Sequence, residues 1–180
     1  MRVIFGWSML LWLAVPAHAG VGRLPVGTRL PALVGETLAG PDLRLPEAAR
    51  GRVTLIAMGF SYASRHAVEP WMDRFRRDFA RDSAVTFYEL PMMSGIGPRL
   101  GKPFIDSGMR RGTPSELHAR VATVWTDVAT WRRRLAVRDQ DLAYLILIDR
   151  DGRVVWNDAV GRGLDGYDAL VERVRDTARR

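Results

Sequence analysis

Two uninterrupted apolar runs constrain this chain more than any other feature: Val53 to Phe60 (VTLIAMGF), and Leu142 to Ile148 (LAYLILI), which ends in Asp149. Neither run alternates apolar with polar residues. A strand with one face in water alternates, whereas a strand covered on both faces reads as a continuous run. The chain is therefore expected to build a central sheet with other elements packed on both sides. Suitable cover is present. Val68, Trp71, Met72, Phe75 and Phe79 recur at spacings of three and four, as do Tyr167, Leu170, Val171, Val174 and Ala178, so each set predicts a helix with one apolar face. Pro70 falls early in the first helix and either marks where the regular helix begins or kinks it.

The remaining elements follow from turn and cap chemistry. Val85 to Leu90 (VTFYEL) is β-branched and aromatic, ends at Pro91, and predicts a second strand. The Asp149-Arg150-Asp151-Gly152 turn leads into Val154-Val155-Trp156, which predicts a hairpin. Met92 to Gly112 carries Gly95, Gly97, Pro98, Gly101, Pro103 and Gly108 and reads as a loop. Thr113-Pro114-Ser115-Glu116 has the form of a capping box and predicts a helix to about Val124, with a second helical piece over 127–137. Upstream, Gly20 to Arg50 reads as an extended lead-in with a small hairpin, its arms Thr37–Ala39 and Leu43–Leu45 turning at Gly40-Pro41-Asp42. The predicted order is strand–helix–strand–helix–strand–strand–helix, a right-handed crossover followed by an antiparallel hairpin.

The first residues predict export. Arg2, an apolar stretch from Val3 to Val15, and Ala17-His18-Ala19 form a signal peptide over 1–19, with cleavage after Ala19 and a mature chain from Gly20. The mature chain then divides into an N-terminal extension, 20–50, and one α/β domain, 51–180. A periplasmic or secreted protein is expected; the alternative is a membrane anchor formed by an uncleaved signal. The chain has no cysteine. That excludes a lipidated N-terminal cysteine, disulfide staples, thiolate metal ligands, and any thiol–disulfide or peroxidase chemistry of its own. The net charge is +7, but Lys102 is the one lysine among 27 basic residues, and the arginines are dispersed. No nucleic-acid partner is expected. Weak attraction to an anionic membrane surface or an acidic partner is one reading of the charge, and an arginine-biased solvated surface is the other.

Several groups invite a chemical role. Ser61, Ser64 and His66 contain a hydroxyl and a base, yet no Gly-x-Ser-x-Gly elbow is present, and serines at a strand-to-helix turn serve as helix caps. His66 and Glu69 stand three apart on the first predicted helix, a metal-sharing spacing, while Glu116 and His118 stand two apart and diverge. With two histidines left in the predicted mature chain and no thiolate, surface histidines are the expected reading, with no cofactor and no metal. Arg110 and Arg111, beside the capping box, can bind an anion at a helix N-terminus or lie on a solvated loop. Trp131 beside Arg132–Arg134 is either a core anchor or an exposed interface residue.

The element order resembles the thioredoxin fold: a central mixed sheet flanked by helices, here with an N-terminal extension. GTRLPALVGETLAGPDLRL resembles the extension of the TlpA-like and peroxiredoxin branches, and LAYLILIDRDGRVVW resembles their central hairpin; the likeness runs from about Leu30 to Val174. The family's Cys-x-x-Cys pair falls at Ser61 and Ser64, or, shifted by one, at Tyr62 and Arg65. The family's cis-proline position falls at Leu142 or Ala143. A narrower similarity is to the mitochondrial ATP synthase assembly factors, which are thioredoxin-like without the dithiol. It is carried by the Trp71–Phe75 region, by Gly108-Met109-Arg110-Arg111-Gly112-Thr113-Pro114, and by Tyr144, Asp149, Gly152, Trp156 and Gly161. The resemblance implies a binding or assembly factor rather than an enzyme, with a protein partner such as a membrane complex. Its binding face is expected at Ser61, Tyr62, Ser64, Arg65 and His66, then at Arg110 and Arg111. The alternative is an accessory to periplasmic thiol–disulfide or metal-cofactor delivery.

Overall fold

The computed structural model describes residues 24–94 and 101–180. The predicted signal peptide and part of the glycine-rich stretch after Ser94 lie outside the described residues.

Among the described residues there are seven strands and four α-helices. In chain order they are β1 (Leu33–Thr37), β2 (Asp42–Leu45), β3 (Val53–Gly59), α1 (Arg65–Phe79), β4 (Val85–Pro91), α2 (Lys102–Gly112), β5 (Ala122–Thr123), α3 (Val128–Arg134), β6 (Ala143–Ile148), β7 (Val154–Val160) and α4 (Tyr167–Arg179). The central sheet has the order β4-β3-β6-β7, with β3 and β4 parallel and the other pairs antiparallel. A second sheet, β2-β1-β5, is antiparallel. The two meet through residues 120–124, which run parallel to β4 by bridges at Glu89–Val121 and Met92–Val124.

The apolar runs are explained by the two covered faces. Along β3 and β6, Val53, Leu55, Ala57, Leu145 and Leu147 pack against Trp71, Met72 and Phe75 of α1 and Leu170 and Val174 of α4. The intervening Ile56, Met58, Tyr144 and Ile146 face a second core with Leu33, Leu43 and Leu45 of the hairpin and Trp131 of α3. Trp131 is thus a core anchor, 1% exposed, with the Arg134 guanidinium 5.3 Å from its ring. Pro70 lies inside α1 rather than at its start, so it has no N–H to give the His66 carbonyl.

Two sequence expectations are corrected. The stretch read as loop as far as Gly112 contains α2; Pro103 sits in its first turn, where a missing N–H costs nothing, and the glycines do not break it. The helix expected from the Thr113–Glu116 capping box to about Val124 is a single 3-10 turn, Ser115–Leu117. The following Val121-Ala122-Thr123-Val124 is wholly buried and pairs as strand, with Glu89 N–H donating to the Arg120 carbonyl at 2.9 Å and Val124 N–H to the Pro91 carbonyl at 2.9 Å. Sheet pairing of a β-branched run outweighs the local capping pattern.

Candidate functional site

β3 ends at Gly59, and after Phe60 residues 61–64 turn the chain into α1. Phe60 is buried edge-on against Tyr144, with ring centroids 5.5 Å apart, which anchors the start of the turn. Within the turn, Ser61 Oγ accepts the Ser64 N–H at 3.0 Å, and Ser64 Oγ donates to the Ser61 carbonyl at 2.7 Å. The capping function expected of these serines therefore belongs to Ser61, while the Ser64 hydroxyl points inward and makes no cap bond. Ser64 is 2% exposed and lies over Gly59, where a Cβ would stand 2.4 Å from Ser64 Oγ. Only a glycine at the end of β3 leaves room for this arrangement.

Ser61 Oγ also donates to Asp141 Oδ1 at 2.7 Å. Asp141 was not among the residues the sequence singled out. It stands in the loop just before β6, one residue from the position where the resemblance places a proline; that neighbourhood was the available signal. The same loop is pinned from below by Tyr144, whose hydroxyl donates to the Asp139 carbonyl at 2.8 Å and whose phenol is pushed above its ordinary pKa chiefly by burial.

Tyr62 and Arg65 point the other way. Tyr62 is 80% exposed, and the Arg65 guanidinium lies 4.4 Å from its ring centroid. Stacking of this kind fixes an aromatic and a cation together at the surface. Ser61 and Ser64 therefore bond to each other within the turn, and Tyr62 and Arg65 form its outer surface. His66 is half-buried and bonds to neither hydroxyl, so no nucleophile–base pair is assembled. Among the described residues no group of three or more histidines and carboxylates is placed to hold a metal.

Arg110 and Arg111 lie in the last turn of α2, not in a loop. Arg110 Nε donates to the Leu38 carbonyl at 2.9 Å, tying α2 to the hairpin, and Arg111 Nη1 donates to Ser107 Oγ at 2.6 Å. At a helix C-terminus these cations complement backbone carbonyls. His118 Nε2 lies 2.9 Å from the Thr113 carbonyl, which fastens the segment that follows. The turn at Ser61 and the arginines of α2 are thus separate features. The carboxyl of Glu89 of β4, on the α1 side, is pushed up to about 7, mainly by burial, with Arg76 opposing the shift and Asp73 and Glu69 adding to it.

No protein-family model matches the chain, and no curated protein matches it in sequence. Solved structures do. A proposed thiol:disulfide interchange protein, DsbE, from Chlorobium tepidum superposes with a TM-score of 0.61 at 17% identity over 86% of this chain and 99% of that one. BsSco, a member of the Sco family of cytochrome c oxidase assembly proteins, gives 0.58 at 13% identity over 87% and 97%. The thiol peroxidase from Chromobacterium violaceum gives 0.56 at 17% identity over 86% and 89%. At these identities the likeness is one of fold. The fold is thioredoxin-like, in the α/β class with a mixed sheet, and in this chain it carries no cysteine.

Proposed function

We propose that this is an exported, non-redox thioredoxin-like protein that binds a protein partner through the turn at Ser61–Arg65 and assists assembly of a membrane complex in the cell envelope. The observation that carries the reading is the division of labour in that turn. Ser61, Ser64 and Asp141 satisfy one another, whereas Tyr62 and Arg65 are stacked together and turned outward. Tyrosine and arginine are the residues that most often anchor interfaces, and a prestacked pair loses little side-chain freedom on binding. Similarity to the ATP synthase assembly factors suggests the type of complex. The export signal read at residues 1–19 suggests the periplasm.

A second reading, an accessory to thiol–disulfide or metal-cofactor delivery, is favoured by the structural likeness to an assembly protein of the Sco family. In this chain such a role would act through cysteines of the partner.

The test is affinity capture from envelope extracts with the native protein and with Tyr62→Ala/Arg65→Ala. Ser64 is left intact because it is buried. Partners held by the native protein and released by the folded variant support the reading; identical captures place binding elsewhere.

A further inference from the structure

Some seven strand residues from the Ser61 turn, roughly 20 Å at the spacing of extended chain, the other end of β3 borders a cleft of different character. Arg29, Arg50 and Arg153 line it together with one carboxylate, Asp151, around a volume of about 430 Å³. The arginines come from three places: the N-terminal extension, the turn before β3 and the β6–β7 hairpin. Arg29 and Arg153 are directly opposed in an antiparallel bridge. Like charges in that position repel.

The backbone holds them there firmly. Gly27 N–H donates to the Val154 carbonyl at 2.7 Å, Val154 N–H to the Thr28 carbonyl at 2.8 Å, and Leu30 N–H to the Gly152 carbonyl at 2.8 Å. Arg153 Nη1 is oriented by the Gly27 carbonyl at 3.1 Å, and Arg29 by the Asp151 carbonyl at 3.4 Å and by Glu47 at 3.8 Å. Arg50 is exposed, and its side chain makes no hydrogen bond or ion pair with the described residues. Two guanidinium groups are held by neighbours and a third is free to close on a ligand.

We propose that this cleft is a binding site for a phosphate group. Guanidinium forks match the paired oxygens of phosphate, and three around one opening offset the repulsion they suffer when it is empty. The group can belong to a soluble phosphate ester or to a phospholipid headgroup. Val26, 67% exposed, directly precedes Gly27, whose carbonyl orients Arg153, and is the candidate apolar contact for the second source.

The experiment is a pyrophosphate titration of the full chain at constant ionic strength, read from arginine Nε–H resonances. The native protein, Arg50→Gln, Arg153→Gln and a control, Arg77→Gln on the exposed side of α1, are compared. Saturable shifts at Arg29, Arg50 and Arg153 are expected, weakened about tenfold or more in each cleft variant, the loss typical of one charge-assisted pair, and unchanged in the control. Parallel sedimentation with phosphatidylglycerol and phosphatidylcholine vesicles assigns the source. Arg50-dependent binding to the anionic vesicles alone identifies a headgroup, and pyrophosphate binding without vesicle binding identifies a soluble phosphate. Shifts that do not saturate, or that weaken equally in Arg77→Gln, overturn the proposal. Because the Arg50 side chain makes no hydrogen bond or ion pair with the described residues, its variant keeps the test valid if Arg153→Gln fails to fold.

Discussion

Replacing Glu89 with glutamine should stabilise the protein in a strictly pH-dependent way. Glu89 pairs with Ala57 across β3 and β4 and lies among Glu69, Asp73 and Arg76 of α1. Burial there raises its carboxyl from 4.5 to about 7. A raised carboxyl means that the folded protein binds the proton more tightly than the unfolded chain, so the contribution is fully present below pH 4.5 and is lost as pH rises through 7. Between 4.5 and about 7, at about 1.36 kcal/mol for each tenfold change in proton binding, this amounts to about 3 kcal/mol. Glutamine carries no charge at any of these values. Urea unfolding should therefore show the variant about 3 kcal/mol more stable than the native protein at pH 8.5 and close to it at pH 5. An equal difference at both pH values would refute the reasoning, because it would mean that Glu89 is not held protonated by its surroundings.

Other expectations follow from the same packing. Gly59→Ala should cost about 1–3 kcal/mol by driving a Cβ against Ser64 Oγ, and Ser64→Ala in the same chain should recover much of it, giving non-additive thermal melts. Ser61→Cys/Ser64→Cys should form an internal disulfide on mild oxidation, detected by mass and reversed by reductant. Adding Asp141→Asn should speed alkylation of the reduced form near neutral pH, because a carboxylate beside a thiol disfavours the thiolate. Trp131→Ala should cost about 3–5 kcal/mol in denaturant unfolding, the loss of a core side chain, and a cost near zero would return Trp131 to the surface.

The parts of this fold legible in the sequence were those fixed by burial. Val53–Gly59 and Ala143–Ile148 read as doubly covered strands because successive residues do enter opposite cores. The stripes of α1 and α4 were equally plain. Local signals failed where tertiary pairing decided. Residues 121–124 follow a good capping pattern yet are claimed by β4 and β1, and α2 was hidden by glycines and a proline that its first turn accommodates. The turn at Ser61 could be located from the strand–helix junction, but not its division into an inward pair and an outward pair. Asp141, its decisive neighbour, is 80 residues away in the chain. The opposed Arg29 and Arg153 were invisible for the same reason, since only the folded hairpin brings them face to face.

On the proposed function, the Ser61–Arg65 turn recognises a partner without thiol chemistry. The most direct test of this is the affinity of a captured, purified partner, measured before and after all its thiols are blocked with N-ethylmaleimide, for the native protein and for Tyr62→Ala/Arg65→Ala. Binding that survives alkylation and weakens at least about tenfold in the variant, as loss of an interface anchor predicts, is the expected result. Binding abolished by alkylation, or unchanged in the variant, would contradict the account.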